Sequence, residues 1–584
     1  MVDFKQALDR KHDCERLEIS VHILDCVPDS IILRDPKFKL RDIQVEFLIW
    51  VQENWFILDV MGGELPVAAG KSICLVVIGE WCRRNGLGPV AGLTPTTMLQ
   101  DQYAGDFPEI PMLKGASHYK CVCDVGKKNR NCGQMKDING RCCGHEKISD
   151  ETGECDVCPY LAARDAAASA PLAFFNFHSI SFNEMWKKVM IIDEGHNSEE
   201  HVIGRYGTKL WSCDAELREM KFPENLTNAE EFNGSRRIEE SVLKPFLTEY
   251  LKQIDAEYQN ELTMNPDSHL CKVLKSESLK YSQVLDGIEY DPDNMLLLLK
   301  TEIFKDKRNI YSGYYGKEMD YIYIKPLKVE RFCEKVLWPK ENVDKVIFLS
   351  ATFNELDIKT LGLADRKYGI FKGKSPIPAE NRPFRVWPIA SMTWKNRKEN
   401  IPNVAVACLK LAAKHHDTKG FIHCTYDVAA QLRKMAWDDP NSRRFMFHDQ
   451  GNKKEVYDRF LASKGSPILV GSGMSEGINL AGPEFGWQVI TMVIRPSIAD
   501  DVNFFQCRYQ KEKYDWRTVR TIEQASGRNC RHETDKGITY CLVTEFWDLW
   551  RTTHLARIRS GKLTMWADWF IEAVKWPDGK DRNS

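Results

Sequence analysis

The run Leu65-Pro66-Val67-Ala68-Ala69-Gly70-Lys71-Ser72 sets glycine, lysine and serine side by side after a tight turn. Trp55 to Val60 reads as a buried strand before it, and Ile73 to Cys82 as the start of a helix behind it. A strand, a turn and a helix N-terminus in that order aim backbone N–H groups at phosphate oxygens. Lys71 then supplies a point charge for β- and γ-phosphates, and the Ser72 hydroxyl a ligand for Mg²⁺. Leu65 stands where such loops begin with glycine, and Ala68 is a second non-glycine. The loop is therefore expected to curl with φ mostly negative.

A second constellation, Val189-Met190-Ile191-Ile192-Asp193-Glu194-Gly195-His196, ends an apolar strand in two carboxylates 122 residues after Lys71. Asp193 suits a water-mediated hold on Mg²⁺, and Glu194 suits polarising an attacking water. His196 is placed to relay the nucleotide's state to the other half of the chain. The third, Gln524 to Arg531, sets Arg528 and Arg531 on one face of an expected helix. Two guanidinium groups presented from a second domain suit a γ-phosphate in transfer.

Smaller signals lie around these. Gln44, on a helical pattern opened by Arg41, can hydrogen-bond an adenine edge, although a solvated helix glutamine fits the same position. Pro89 to Leu93 reads as a second strand, closed by Thr94, Thr96 and Thr97. Their hydroxyls suit a nucleic-acid backbone and, equally, the cap of the helix that follows.

Seven of the nineteen cysteines fall between residues 121 and 158, a concentration that points to a metal or cluster site. Cys155 and Cys158 have the Cys-x-x-Cys spacing that turns two thiolates on one metal. Cys121 is the third candidate. The fourth is Cys132, with Cys142 or Cys143 as alternatives, and the spacing fits zinc as well as it fits an iron–sulfur cluster.

Positioning these groups takes several units, because 584 residues exceed one hydrophobic core. From about 200 to 335 the pattern turns helical and charged. Leu243, Phe246, Leu247, Tyr250, Leu251 and Ile254 form a helical stripe, and a strand-like Tyr321–Ile324 is expected to return the chain to the first core. Lys345 to Thr352 is another strand with hydroxyls at its end. Beyond Pro376-Ile377-Pro378 a second α/β unit is expected, with strands at Gly420–Cys424, Pro467–Gly471 and Val489–Ile494. Trp566, Trp569, Phe570, Ala573 and Val574 read as core.

In this order the chain resembles the iron–sulfur superfamily 2 DNA helicases of the XPD/DinG group, nearly end to end. The resemblance rests on Gln44, Gly70-Lys71-Ser72, Asp193-Glu194-Gly195-His196, Ser350-Ala351-Thr352, Ser475-Glu476-Gly477-Ile478-Asn479 and Gln524-x-x-Gly527-Arg528-x-x-Arg531. It also rests on Lys114-Gly115 to Tyr119-x-Cys121 and on Cys158-Pro159-Tyr160-Leu161-Ala162-Ala163-Arg164, which frame that group's four-cysteine domain.

The resemblance implies an α/β fold of two RecA-like parallel-sheet motor domains, with a cysteine-rich cluster insertion and a helical Arch-like insertion. It places motor domain 1 at 1–112, 166–200 and 336–380, the cluster domain at 113–165, the Arch-like domain at 201–335 and motor domain 2 at 381–584. It implies a nucleotide site of Gln44, Pro66, Val67, Ala68, Ala69, Gly70, Lys71, Ser72, Asp193, Glu194, Gly477 and Asn479. Lys71, Asp193, Glu194, Gln524, Arg528 and Arg531 would carry hydrolysis of ATP with Mg²⁺. Thr94, Thr96, Thr97, Thr425 and Ser472 would grip nucleic acid. A [4Fe–4S] cluster is favoured over zinc. The implied activity is 5′-to-3′ movement on single-stranded DNA with opening of duplex junctions, D-loops and R-loops, by a monomer.

Size and a short Arch are similar to bacterial or bacteriophage members, hence a cytoplasmic setting in a bacterium or an infected host. The phosphate loop lies within the first seventy residues, so no exonuclease domain is expected ahead of it. Gly195 replaces the usual alanine, and Leu65 and Ala68 bear on turnover.

Composition narrows the field. No apolar run reaches the roughly 18 residues that span a bilayer, and Met1-Val2-Asp3-Phe4-Lys5 opens no signal peptide, which points to the cytosol. A formal net charge of −2 offers no global footprint for nucleic acid, so any such contact is a local groove. Two rival readings remain open on sequence alone. One is a metal-stabilised DNA-binding or recruitment protein with a vestigial ATPase, and the other a motor directed at RNA or R-loops.

Overall fold

The computed structural model describes residues 19–119, 159–223, 231–265, 268–306, 313–449, 451–472, 474, 480, 482, 484–530 and 532–579. The first sheet opens with β1 (Val60–Glu64), β2 (Val90–Thr94), β3 (Met112–Leu113), β4 (Leu172–Asn176) and β5 (Val189–Asp193). Helices α1 (Asp42–Asn54), α2 (Lys71–Arg84) and α3 (Thr97–Asp106) connect or cover these strands. An inserted unit follows, with α4 (Ser198–Tyr206), β6 (Thr208–Trp211), β7 (Glu231–Phe232), β8 (Ser235–Arg237), α5 (Glu240–Met264), α6 (His269–Tyr290), β9 (Met295–Ile303) and β10 (Glu318–Pro326). The chain then returns through β11 (Lys345–Ser350) and β12 (Tyr368–Lys372).

The first sheet runs β12-β1-β11-β5-β2-β4-β3, every described pairing parallel. Strands covered on both faces read as continuous apolar runs, which is why β5 and β11 are visible in sequence. β1 is not, because it carries Gly62 and Gly63. A Cβ on Gly62 would lie 2.6 Å from the Phe353 ring, and one on Gly63 2.8 Å from Phe47. The run Trp55–Leu58, expected as strand, is instead the turn after α1, with Phe56 and Ile57 exposed.

The insertion is not purely helical. Its five strands form an antiparallel sheet, β6-β10-β9-β8-β7, against α5 and α6. Tyr321–Ile324 belongs to β10 of that sheet rather than to the first core. The stripe on α5 is buried at Leu243, Leu247, Tyr250 and Ile254, as its period demands.

The second sheet comprises β13 (Phe384–Ala390), β14 (Lys419–Cys424), β15 (Phe445–Phe447), β16 (Ile468–Ser472), β17 (Phe485–Ile490), β18 (Ile538–Val543) and β19 (Val574–Lys575). Its order is β15-β16-β14-β17-β18-β13-β19, again parallel throughout. β17 begins four residues earlier than Val489 because Trp487 fills the space over Gly420 and fixes the register. Two consecutive helices, α7 (Asp501–Tyr509) and α8 (Lys511–Ser526), precede β18. Trp566, Trp569, Phe570 and Val574 lie in this domain's core, and Ala573 is buried beside them in sequence. Among the described residues no helix is long and apolar enough to cross a bilayer.

The strand order does functional work. β11 lies between β1 and β5, so Glu64 is level with Ser350, and Leu349 with Asp193. The phosphate loop, Ser350 and the carboxylates therefore emerge side by side at the carboxyl edge of the sheet, where open parallel sheets bind ligands.

Glu64 is buried at that edge, and burial pushes its carboxyl up to about 8, against the pull of Lys372. A carboxyl raised in the folded state holds its proton more tightly folded than unfolded. Stability is therefore lost as pH rises from the ordinary glutamate range through about 8. Glu64→Gln is expected to raise the thermal midpoint above wild type at pH 8.5, with the gap closing toward pH 5. A gap independent of pH would show that Glu64 does not titrate this way.

Candidate active site

The loop after β1 is anchored at both ends. Leu65 is fully buried and its N–H donates to the Ser350 carbonyl at 2.8 Å, so the residue in place of glycine packs into the core. Ala68 takes φ +72° and Gly70 φ +75°, which corrects the expectation of negative φ. For alanine the left-handed conformation costs about 1 kcal/mol or more. Two side chains of the α1 N-terminus hold it. Arg41 donates to the Ala68 carbonyl, and Gln44 Nε2 donates to the Gly70 carbonyl at 3.1 Å. Gln44 Oε1 accepts the Arg41 N–H at 2.8 Å, so both ends of its amide are used by protein.

Lys71 and Ser72 open α2. Lys71 Nζ lies 3.1 Å from Glu194 Oε1, while the Ser350 hydroxyl donates to Glu194 Oε2 at 3.2 Å. Glu194 itself sits at φ +51°, turning its carboxylate back toward the loop. Burial would raise Glu194, but Lys71 and His196 outweigh it and hold it below the usual carboxylate range. Asp193 moves the other way, raised by burial and by the charge of Glu194. Its Oδ2 accepts from Tyr103 at 3.1 Å, and its Oδ1 is buried with no hydrogen-bond partner. An orphaned carboxylate oxygen beside the Ser72 hydroxyl is the donor set a hard divalent cation takes, so the residues fit Mg²⁺.

Across the cleft, α8 presents one face to the first domain. Lys513 pairs with Glu199 at 2.8 Å, and Arg520 with Asp357 at 3.0 Å. Trp516 Nε1 donates to Asp357 at 3.0 Å. Gln524 Nε2 lies 3.2 Å from His196 Nε2. Burial and then Arg520 press His196 down to about 4, so the ring is neutral near pH 7 and accepts the amide proton there. A Cβ on Gly527 would sit 2.7 Å from Val67 of the phosphate loop, so the close approach of the two domains requires glycine.

α8 ends at Ser526, and Arg528 sits on the short turn Gly527–Asn529, not on the expected helix. The glycine that lets Val67 approach also ends the helix. Arg528 is buried, close enough to His423 to depress that imidazole after burial does. Arg531, Gly477 and Asn479 fall outside the described residues.

Thr94 is buried at the end of β2, and Thr96 caps α3 by accepting the Leu99 N–H at 3.3 Å. Thr96 and Thr97 are exposed. Thr425 stands at the end of β14, bonded to Asp427. Ser472 is 1% exposed, with its N–H donating to His448. The cysteines at 121, 132, 142, 143, 155 and 158 lie outside the described residues, among which there is no cluster of metal-ligating side chains. The segment's two ends meet, with the rings of Tyr119 and Tyr160 5.6 Å apart. Sequence reasoning missed Tyr103, Asp357, Glu199 and Arg520. Only the spacing 513, 516, 520, 524 hinted at an interface stripe.

Comparison with known proteins agrees with this layout. Residues 410–548 match the helicase C-terminal domain, and residues 99–213 match DEAD_2. No curated protein matches the chain by sequence. Among solved structures, an XPD helicase aligns at 15% identity and TM-score 0.56, spanning 90% of this chain and 100% of its own. S. tokodaii Xpd4 aligns at 12% identity and TM-score 0.53, over 92% and 100%.

Arg520→Ala leaves Asp357 buried without its charge partner, which costs about 3 kcal/mol. A thermal midpoint several degrees below wild type is expected, partly restored by adding Asp357→Asn. An unchanged midpoint would show that the domains do not depend on this pair.

Proposed function

We propose that this chain, an ATP-driven helicase, moves 5′ to 3′ along single-stranded DNA and opens the duplex ahead of it. The observation that supports the reading most is the two-sided cleft. Gly70, Lys71, Ser72, Asp193 and Glu194 come from one sheet, and α8 meets them from the other with Gln524 on His196.

In this reading the nucleotide enters between the domains. Lys71 exchanges Glu194 for phosphate oxygens, which frees Glu194 to orient the attacking water. Glu194 suits that task because it stays ionised at neutral pH. Ser72 and Asp193 hold Mg²⁺, which would neutralise charge on the transferring phosphoryl group. Arg528, with Arg531, would approach from the second domain. Gln524 senses the state of Glu194 through His196, whose Nδ1 lies 3.5 Å from Glu194 Oε2. Closing and reopening then shifts Thr96 and Thr97 on one domain against Thr425 on the other, both at carboxyl edges of their sheets.

The meeting of Tyr119 and Tyr160 brings together the two ends of the cysteine-rich segment, which the family resemblance makes a [4Fe–4S] domain near the strand-separation point. Iron and acid-labile sulfide in equal amounts, without zinc, are expected in anaerobically purified protein. That protein with ATP and Mg²⁺ is expected to open a duplex with a 5′ single-stranded tail and not one with a 3′ tail. Lys71→Ala and Glu194→Gln are each expected to lower DNA-stimulated phosphate release by about 100-fold with the fold retained. Opening of the 3′-tailed duplex alone would overturn the polarity, and opening of neither would overturn the motor.

A further inference from the structure

Tyr103 is a buried hydroxyl in the wrong company for a core residue. It is 1% exposed, packed edge-on against Phe174 of β4 and beside Phe107. Its hydroxyl donates to Asp193 Oδ2 at 3.1 Å, and the Ser72 hydroxyl bonds the phenol oxygen. One phenol thus touches both side chains that fit Mg²⁺ without occupying Asp193 Oδ1, which stays open.

The helix that carries it makes the contact informative. α3 starts at Thr97, with exposed Thr96 as its cap, and Tyr103 lies six residues on, about 9 Å along the axis. Between them Gln100 is pinned to the sheet. It donates to the Leu113 carbonyl at 3.2 Å and accepts from Asn176 at 3.1 Å. With Gln100 as the fixed point, a displacement at the N-terminus turns the short helix about it and is delivered to the phenol on the other side.

We propose that Tyr103 is a positioning residue that sets Asp193 and Ser72 for Mg²⁺, and that α3 carries nucleic-acid occupancy at Thr96 and Thr97 to that pair. The relay rests on the reading of those threonines as nucleic-acid contacts, whereas the positioning role does not. By linkage, DNA on the threonine end then raises the affinity for Mg²⁺–nucleotide, and Mg²⁺–nucleotide raises the affinity for DNA equally.

The test is equilibrium binding of a fluorescent ADP analogue by the full chain, titrated with Mg²⁺, with and without single-stranded DNA. Tyr103→Phe keeps the ring and its packing and removes only the hydroxyl. It is expected to raise the Mg²⁺ concentration for half-maximal binding at least fivefold without DNA. Wild type is expected to show a lower half-point when DNA is added, and Tyr103→Phe to lose that response while binding DNA within twofold of wild type. A Tyr103→Phe half-point within twofold of wild type overturns the positioning role. A DNA response preserved in Tyr103→Phe, or absent from a wild type that binds DNA, overturns the relay. A wild type that binds no single-stranded DNA fails the proposed function itself, and the DNA-free titration still decides the role of Tyr103.

Discussion

The molecule depends on a backbone constraint in six residues. The loop from Leu65 to Gly70 turns from β1 into α2 with Ala68 and Gly70 at positive φ. Glycine accepts that freely, but alanine does not, and the deficit is met from outside the loop. Arg41 and Gln44 fasten the two carbonyls that the left-handed residues expose, and Leu65 sinks into the core as an anchor. The helix α1 is thus a brace for the phosphate loop, and its first turn is structurally part of the site. Leucine in the place of the motif's first glycine exchanges backbone freedom for burial.

The same economy appears at the charges. Without nucleotide, Lys71 would be an uncompensated cation in a closed cleft, and Glu194 an uncompensated anion; at 3.1 Å each satisfies the other. That pairing separates the two neighbouring carboxylates. Glu194 is held low foremost by Lys71, and Asp193 is raised by burial and by the negative charge beside it. In the proposed function this leaves Glu194 ionised for the attacking water and Asp193 Oδ1 open to a cation. His196 stays neutral because burial and Arg520 disfavour its charged form, and so it accepts from Gln524 instead of competing for Glu194 as a cation.

What was legible in the sequence follows from this physics. Strands buried on both faces announce themselves as apolar runs, so β5 and β11 and the residues at their ends, Asp193 and Ser350, can be placed from the residue pattern alone. β1 cannot, because the site demands glycines where strand propensity demands branched side chains, and the apolar run upstream mimics a strand in its place. Antiparallel pairing inside the insertion is hidden behind the stronger helical stripe of α5. Arginines three apart usually share a helix, whereas here Gly527 ends α8 ahead of Arg528 in order to admit Val67. Tyr103, Asp357 and Arg520 carry no motif at all. They matter only through partners 90 and 163 residues away, and such pairings are a property of the fold.

The two consecutive helices of the second domain tie these observations into one mechanical unit. α7 and α8 are joined through Gln510 alone. α8 faces the cleft, and α7 faces the insertion. Asp500, which caps α7, takes Lys325 at 2.8 Å and Tyr323 at 2.9 Å from β10, while buried Asp501 takes Lys300 of β9 and Asn233. Phe232 adds an aromatic contact to Phe504. A buried aspartate holding a lysine does not slide by small amounts, since either the pair is made or a charge is stranded. The contacts of α8 to His196 and Asp357 and those of α7 to the insertion are therefore joined through the single residue Gln510. The insertion thus shares a hydrophobic core with the first domain and ion pairs with the second.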